Sequence, residues 1–150
     1  MSAYVERLRA LGLDPEVREF PEGTHTAQDA ADAIGCPVAA IVKSLVFTLD
    51  DEPILVLVSG ANRVDTAALG ERLGGTLGKA DARTVKQATG YSIGGVPPLA
   101  HATPLRTVID EDLLQLEVLW AAAGSAMSVF PLAPDELVRL SGGEVVPVTR

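Results

Sequence analysis

The chain has 150 residues, 47% of them apolar and 21% charged, the balance of a globular domain and not of a disordered chain. Twelve Lys and Arg stand against twenty Asp and Glu, for a net charge of −8. That charge excludes the basic footprint of a DNA-binding domain, while leaving room for contact with a single nucleic-acid end.

Val5, Leu8 and Leu11 recur at helical spacing before Gly12, so the chain opens on a helix. Val17 to Phe20 reads as a short strand. Thr26-Ala27-Gln28-Asp29 has the form of a helix N-cap with an acid at N3, and that helix runs through Ile34 until Gly35 and Pro37 close it. Ile41 to Leu49 and Pro53 to Ser59 are β-rich runs around the acidic turn Asp50-Asp51-Glu52, which predicts a hairpin. Asp65 caps a helix through Leu73 that stops at Gly74-Gly75, and a shorter helix from Asp81 to Ala88 ends at Gly90. Residues 91–104 are broken by Gly94, Gly95, Pro97, Pro98 and Pro104 into a loop. Leu105 to Ile109, Val118 to Ala121 and Met127 to Phe130 read as strands, with a helical turn at Glu111 to Leu114. Pro134 to Leu140 is a last helix with proline near its start. Strands and helices mix without strict alternation, so residues 1–150 are expected to form one α+β domain on a mixed, curled sheet.

Most catalytic signatures are absent. Gly74 to Lys79 suggests a phosphate loop, but Leu73 and Ala80 stand where that pattern needs Gly and Ser or Thr, so a glycine-rich turn is expected. His25 and His101 have no metal-binding spacing, and the one cysteine, Cys36, excludes a disulfide or a cysteine-built metal site. No metal and no cofactor are expected. No serine-hydrolase elbow occurs. The N-terminal residues carry charges where a secretory signal needs an apolar core, and no apolar run approaches the roughly 20 residues of a membrane span. A cytoplasmic protein without membrane contact is expected.

Two features are unusual. Lys43 interrupts Ile41-Val42-Lys43-Ser44-Leu45-Val46-Phe47, and with period two it shares a strand face with Leu45 and Phe47. A cation there must snorkel, pair with a carboxylate or line a polar cavity. The second is Gly94-Gly95-Val96-Pro97-Pro98, either an ordinary surface turn or a rigid loop whose glycines let main-chain N–H groups approach a ligand oxygen.

Thr26 to Ala31, Ile41 to Phe47, Arg63-Val64-Asp65 and Thr89 to Pro98, taken in that order and spacing, resemble the YbaK/EbsC family. These are stand-alone relatives of the editing domain inserted in bacterial prolyl-tRNA synthetases, and the resemblance runs from about residue 20 to residue 140. It implies a barrel-like mixed sheet flanked by helices and hydrolysis in trans of mischarged aminoacyl-tRNA. Lys43 would lie in the substrate pocket as the catalytic cation. The loop from Gly94 through Gly95 to Pro98 would hold the aminoacyl carbonyl or the terminal ribose. Thr26, Ser44, His101 and Gly124 complete the substrate-binding set that the resemblance suggests. Such enzymes lack a protein nucleophile; a positioned water and the ribose hydroxyl of the substrate do the work, and an activated ester needs little beyond orientation and oxyanion stabilisation.

Ala122-Ala123-Gly124-Ser125-Ala126-Met127 lacks the Lys and Arg of the cysteinyl-specific branch and the histidine of the alanine-specific branch. The edited amino acid is therefore open among Ala, Ser, Thr and Cys. His101 is either a pocket residue or an exposed loop histidine. The expected partner is the CCA end of an aminoacyl-tRNA, with a synthetase or elongation factor lending affinity. The competing reading is a non-catalytic module that binds a small aminoacyl-like ligand or a translation partner.

Overall fold

The structure, a computed structural model, describes residues 3–20, 26–93, 95–99, 101, 104–125 and 127–149. In chain order it comprises α1 (Ala3–Ala10), β1 (Arg18–Glu19), α2 (Ala27–Ile34), β2 (Ile41–Leu49), β3 (Glu52–Ser59), α3 (Thr66–Leu73), β4 (Leu77–Lys79) and α4 (Ala82–Thr89). It continues with β5 (Arg106–Asp110), β6 (Leu119–Ala122), β7 (Ser128–Leu132), α5 (Pro134–Ser141) and β8 (Glu144–Val146). Short 3₁₀ turns at Val38–Ala40 and Glu111–Gln115 lead into β2 and follow β5. The strands form one sheet in the order β1-β7-β6-β2-β3-β5-β8, with β4 added beside β2. Parallel pairs (β6 with β2, β3 with β5, β5 with β8) and antiparallel ones coexist, which is the expected mixed α+β sheet. The sheet stays open: β1 and β8 end it, and no pairing joins them among the described residues.

Two three-residue strands, β4 and β8, escaped the sequence reading, whereas β1 lies within the short strand expected at Val17 to Phe20. β4 occupies the end of the glycine-rich stretch, after Gly74 caps α3 in the left-handed conformation, and β8 adds an edge beside β5.

The hairpin forms for a local reason. Asp50 and Asp51 both have positive φ, 49° and 70°, the two-residue turn whose twist matches that of the flanking strands. Glu52 therefore belongs to β3, opposite Leu49. Side chains of β3 are buried on both faces of the sheet. Leu55 and Leu57 pack with Leu8, Leu119, Phe130 and Leu137 on one side, while Ile54, Val56 and Val58 pack with Leu69 and Val148 on the other. A strand covered on both faces reads as a continuous apolar run, as Ile54 to Val58 does. Helix α2 packs separately, on Ile41 and Trp120.

Candidate active site

Strand β2 has β3 along one edge over its whole length, from Val42 opposite Ser59 to Leu49 opposite Glu52. Its other edge is shared. β6 pairs with Ile41 and Val42 only, and β4 with Phe47 to Leu49 only. Residues 43–46 lie in the fork between them, without a strand partner on that side. A cavity of about 570 Å³ opens there. Seven consecutive residues, Ile41 to Phe47, line it; since side chains alternate between faces, main-chain atoms of the strand border the space as well as side chains. Lys79 and Ala80 from β4 and the residue after it close one side, Trp120 to Ala122 of β6 the other.

Lys43 is half-buried, and its Nζ donates to the main-chain oxygen of Asn62 at 2.6 Å. Asn62 is itself clamped: its Nδ2 donates to Asp110 Oδ2 and to Asp112 Oδ2, each at 2.8 Å. Asp110, 1% exposed, also accepts from the N–H groups of Ser59 and Asp112. Burial pushes the Lys43 ammonium below the ordinary lysine value, the nearby Arg63 adds to this, and Asp110 opposes it. Thus the strand cation lines the cavity and rests on a carbonyl backed by two carboxylates. No carboxylate, histidine or cysteine lines the cavity among the described residues. A protein nucleophile with its own general base is not assembled there.

The aminoacyl-tRNA editing domain family matches residues 21–140. The chain belongs to this family. It is 30% identical over 131 residues to Bacillus subtilis YwhH, covering 87% of this chain and 83% of that one. It is also 32% identical over 125 residues to the proline–tRNA ligase of Desulforamulus reducens, covering 77% of this chain but only 22% of the ligase. The editing domain thus spans about a fifth of that ligase's length. A crystal structure of a protein proposed as a trans-editing enzyme for prolyl-tRNA synthetase superposes with a TM-score of 0.92 at 41% identity, over 100% of this chain and 99% of the other. The family resemblance read from the sequence therefore holds, and so does the fold it implied.

The remaining residues expected at the site of this editing domain divide into two groups. Thr26 and Ser44 line the cavity with Lys43. Thr26 also caps α2, its Oγ1 accepting from Asp29 N–H at 3.0 Å. Gly94 lies outside the described residues. From its loop, Ile93 and Val96 reach the cavity, but Gly95, Pro98, His101 and Gly124 are not among its lining residues. The Gly95 N–H closes a turn onto Ser92 O at 3.0 Å, so that amide is not turned toward a ligand. His101 Nε2 lies 2.6 Å from Pro97 O; a carbonyl only accepts, so this nitrogen carries the proton. Burial lowers the His101 pKa, and the Pro97 hydrogen bond offsets part of that shift. Gly124, with φ +92°, packs behind the loop, where a Cβ would stand 3.3 Å from Tyr91 Cε1.

Sequence reasoning passed over Lys79, hidden in a strand taken for a turn, and Trp120, whose ring lies 4.8 Å beneath the Arg18 guanidinium. It also passed over Asn62 and Asp110. An acid closing the apolar run Val108-Ile109-Asp110 was a usable signal, since a carboxylate there is buried only with partners.

Proposed function

We propose that this editing domain is a trans-acting deacylase that hydrolyses the ester of a tRNA mischarged with a small amino acid (Ala, Ser, Thr or Cys). The observation that carries the reading is the cavity in the β2 fork, mainly apolar, with Lys43, Ser44 and Thr26 as its polar groups beside Lys79. A small side chain fits among Ala27, Ala30, Val85 and Val129, and the two lysines favour an anionic nucleic-acid end over a neutral ester. Water attacks the ester carbon, its oxygen joining the acyl group. The bond to the ribose oxygen breaks, and that oxygen takes up a proton to regenerate the tRNA hydroxyl. Without an acid–base pair in the cavity, the acceleration rests on orientation and on donors facing the carbonyl oxygen as it gains charge. The partner is the CCA end, and a synthetase or elongation factor supplies the affinity that a chain of net charge −8 lacks.

The test is single-turnover deacylation of a panel of tRNAs charged with Ala, Ser, Thr, Cys and Pro. Release of one or two small amino acids well above the spontaneous rate, with Pro spared, is expected. Saturable binding of the panel with no release of any amino acid favours the non-catalytic module.

A further inference from the structure

The edge of β2 inside the cavity carries its own hydrogen-bonding groups. Gly60 N–H donates to Ile41 O at 2.7 Å, which turns the main-chain groups of odd-numbered β2 residues toward β3 and those of even-numbered ones toward the opposite edge. The Asp50 N–H bond to Thr76 O at 3.0 Å agrees, since it lies on that opposite edge. The pairing with β6 ends at Val42 and that with β4 starts at Phe47, so the N–H and C=O of Ser44 face the cavity with no strand partner. The Ser44 Oγ is buried as well, and it has no hydrogen-bond partner among the described residues. Main-chain groups shielded from water are nearly always paired, so an N–H and a C=O left without a strand partner at the wall of a cavity point to a ligand that meets them.

An aminoacyl ester presents, across one α-carbon, an amine that donates and a carbonyl oxygen that accepts. This is the pattern by which one residue of an antiparallel strand exchanges two bonds with the residue opposite. We propose that Ser44 reads the substrate as a strand residue would: its C=O accepts from the α-ammonium group and its N–H donates to the ester carbonyl oxygen. The inference rests on the deacylase reading and deepens it, because it fixes what every substrate must carry irrespective of side chain, an α-nitrogen that donates. It also supplies the oxyanion donor that the Gly95 amide, engaged in its turn, does not.

Two measurements test it. First, single-turnover hydrolysis of the same aminoacyl-tRNA is compared with that of its des-amino analogue, in which hydrogen replaces the α-ammonium group and no α-donor remains, each corrected for its spontaneous rate. The des-amino ester is expected to be accelerated roughly a hundredfold less. Equal acceleration of both esters overturns this inference while leaving the deacylase reading intact; an aminoacyl ester cleaved no faster than spontaneously overturns the deacylase reading and this inference with it. Second, Ser44→Ala removes only the hydroxyl, whereas Ser44→Pro also removes the N–H, and at this position it breaks no bond to β3. Folded Ser44→Pro protein is expected to react at least about tenfold more slowly than Ser44→Ala. Equal rates in the two variants overturn the assignment of the N–H, and if Ser44→Pro does not fold, the des-amino comparison decides alone.

Discussion

Lys43 shows how much a single position depends on what stands behind it. Its ammonium is held by one carbonyl, that of Asn62, while the side chain of Asn62 bridges Asp110 and Asp112. The lysine side chain is thus aimed by a network whose members, Asn62, Asp110 and Asp112, are not among the residues lining the cavity. Lys43→Ala is expected to slow deacylation about tenfold or more with little change in melting temperature, since the lost hydrogen bond is offset by relief of the desolvation that lowers its pKa. The shift also sets a pH dependence. A lysine whose folded pKa is depressed loses its charge at lower pH than a free lysine, near 10.4. Enzymatic deacylation, corrected for the spontaneous rate, should therefore decline on an alkaline limb that begins below that value and is absent in Lys43→Ala. The sign for stability is opposite. Charged Lys43 opposes folding fully below its lowered pKa, and the penalty fades as pH rises toward the unfolded value. A limb in Lys43→Ala identical to that of the wild type would assign the titration to another group.

Among the elements, α1 has a role that its amphipathic pattern does not announce. Tyr4, 4% exposed, donates through its hydroxyl to Leu99 O at 3.0 Å, and Arg7 donates to the Tyr91 hydroxyl at 2.6 Å. The helix therefore holds the glycine–proline loop at both ends, with the Tyr4 and Tyr91 rings packed edge to face. Burial raises the Tyr4 pKa well above the ordinary phenol value, so the hydroxyl stays protonated and donates. Tyr4→Phe leaves the Leu99 carbonyl unpaired in a buried setting, at a cost of about 1–3 kcal/mol. The expected result is a lower melting temperature together with faster amide exchange in residues 91–99, and exchange confined to α1 would separate the helix from the loop. What the sequence made legible follows the same division between local and distant causes. The hairpin, the caps at Thr26 and Asp65, and the cation in an apolar strand are written within a few neighbouring residues. The clamp on Asn62 joins residues 48 and 50 positions apart, and no periodicity links them. The fork in the sheet depends on where two other strands stop pairing, and β4, at three residues with a central glycine, is too short to signal itself.

At the scale of the molecule, charge governs how the domain meets its substrate. With only three lysines and a net charge of −8, few counterions can be released on binding. Uncharged tRNA is expected to bind weakly, with most of the affinity lost between about 50 and 200 mM salt, as measured by equilibrium titration. A nanomolar complex at physiological salt without another protein would contradict this. In the proposed reading recognition is concentrated at the acceptor end, with Lys79 and the Arg18–Trp120 pair beside the cavity. Among the described residues no helix is long and apolar enough to cross a membrane.

The fork has a last consequence, for solubility. An unpaired strand edge is normally a template on which a neighbouring chain can grow, and proteins blunt such edges with charges, prolines or bulges. Here the exposed stretch, residues 43–46, is bracketed by β6 and β4 and interrupted by Lys43. It is long enough to greet one residue and too short to seed a ladder, so the domain keeps bare main chain at its centre without inviting aggregation.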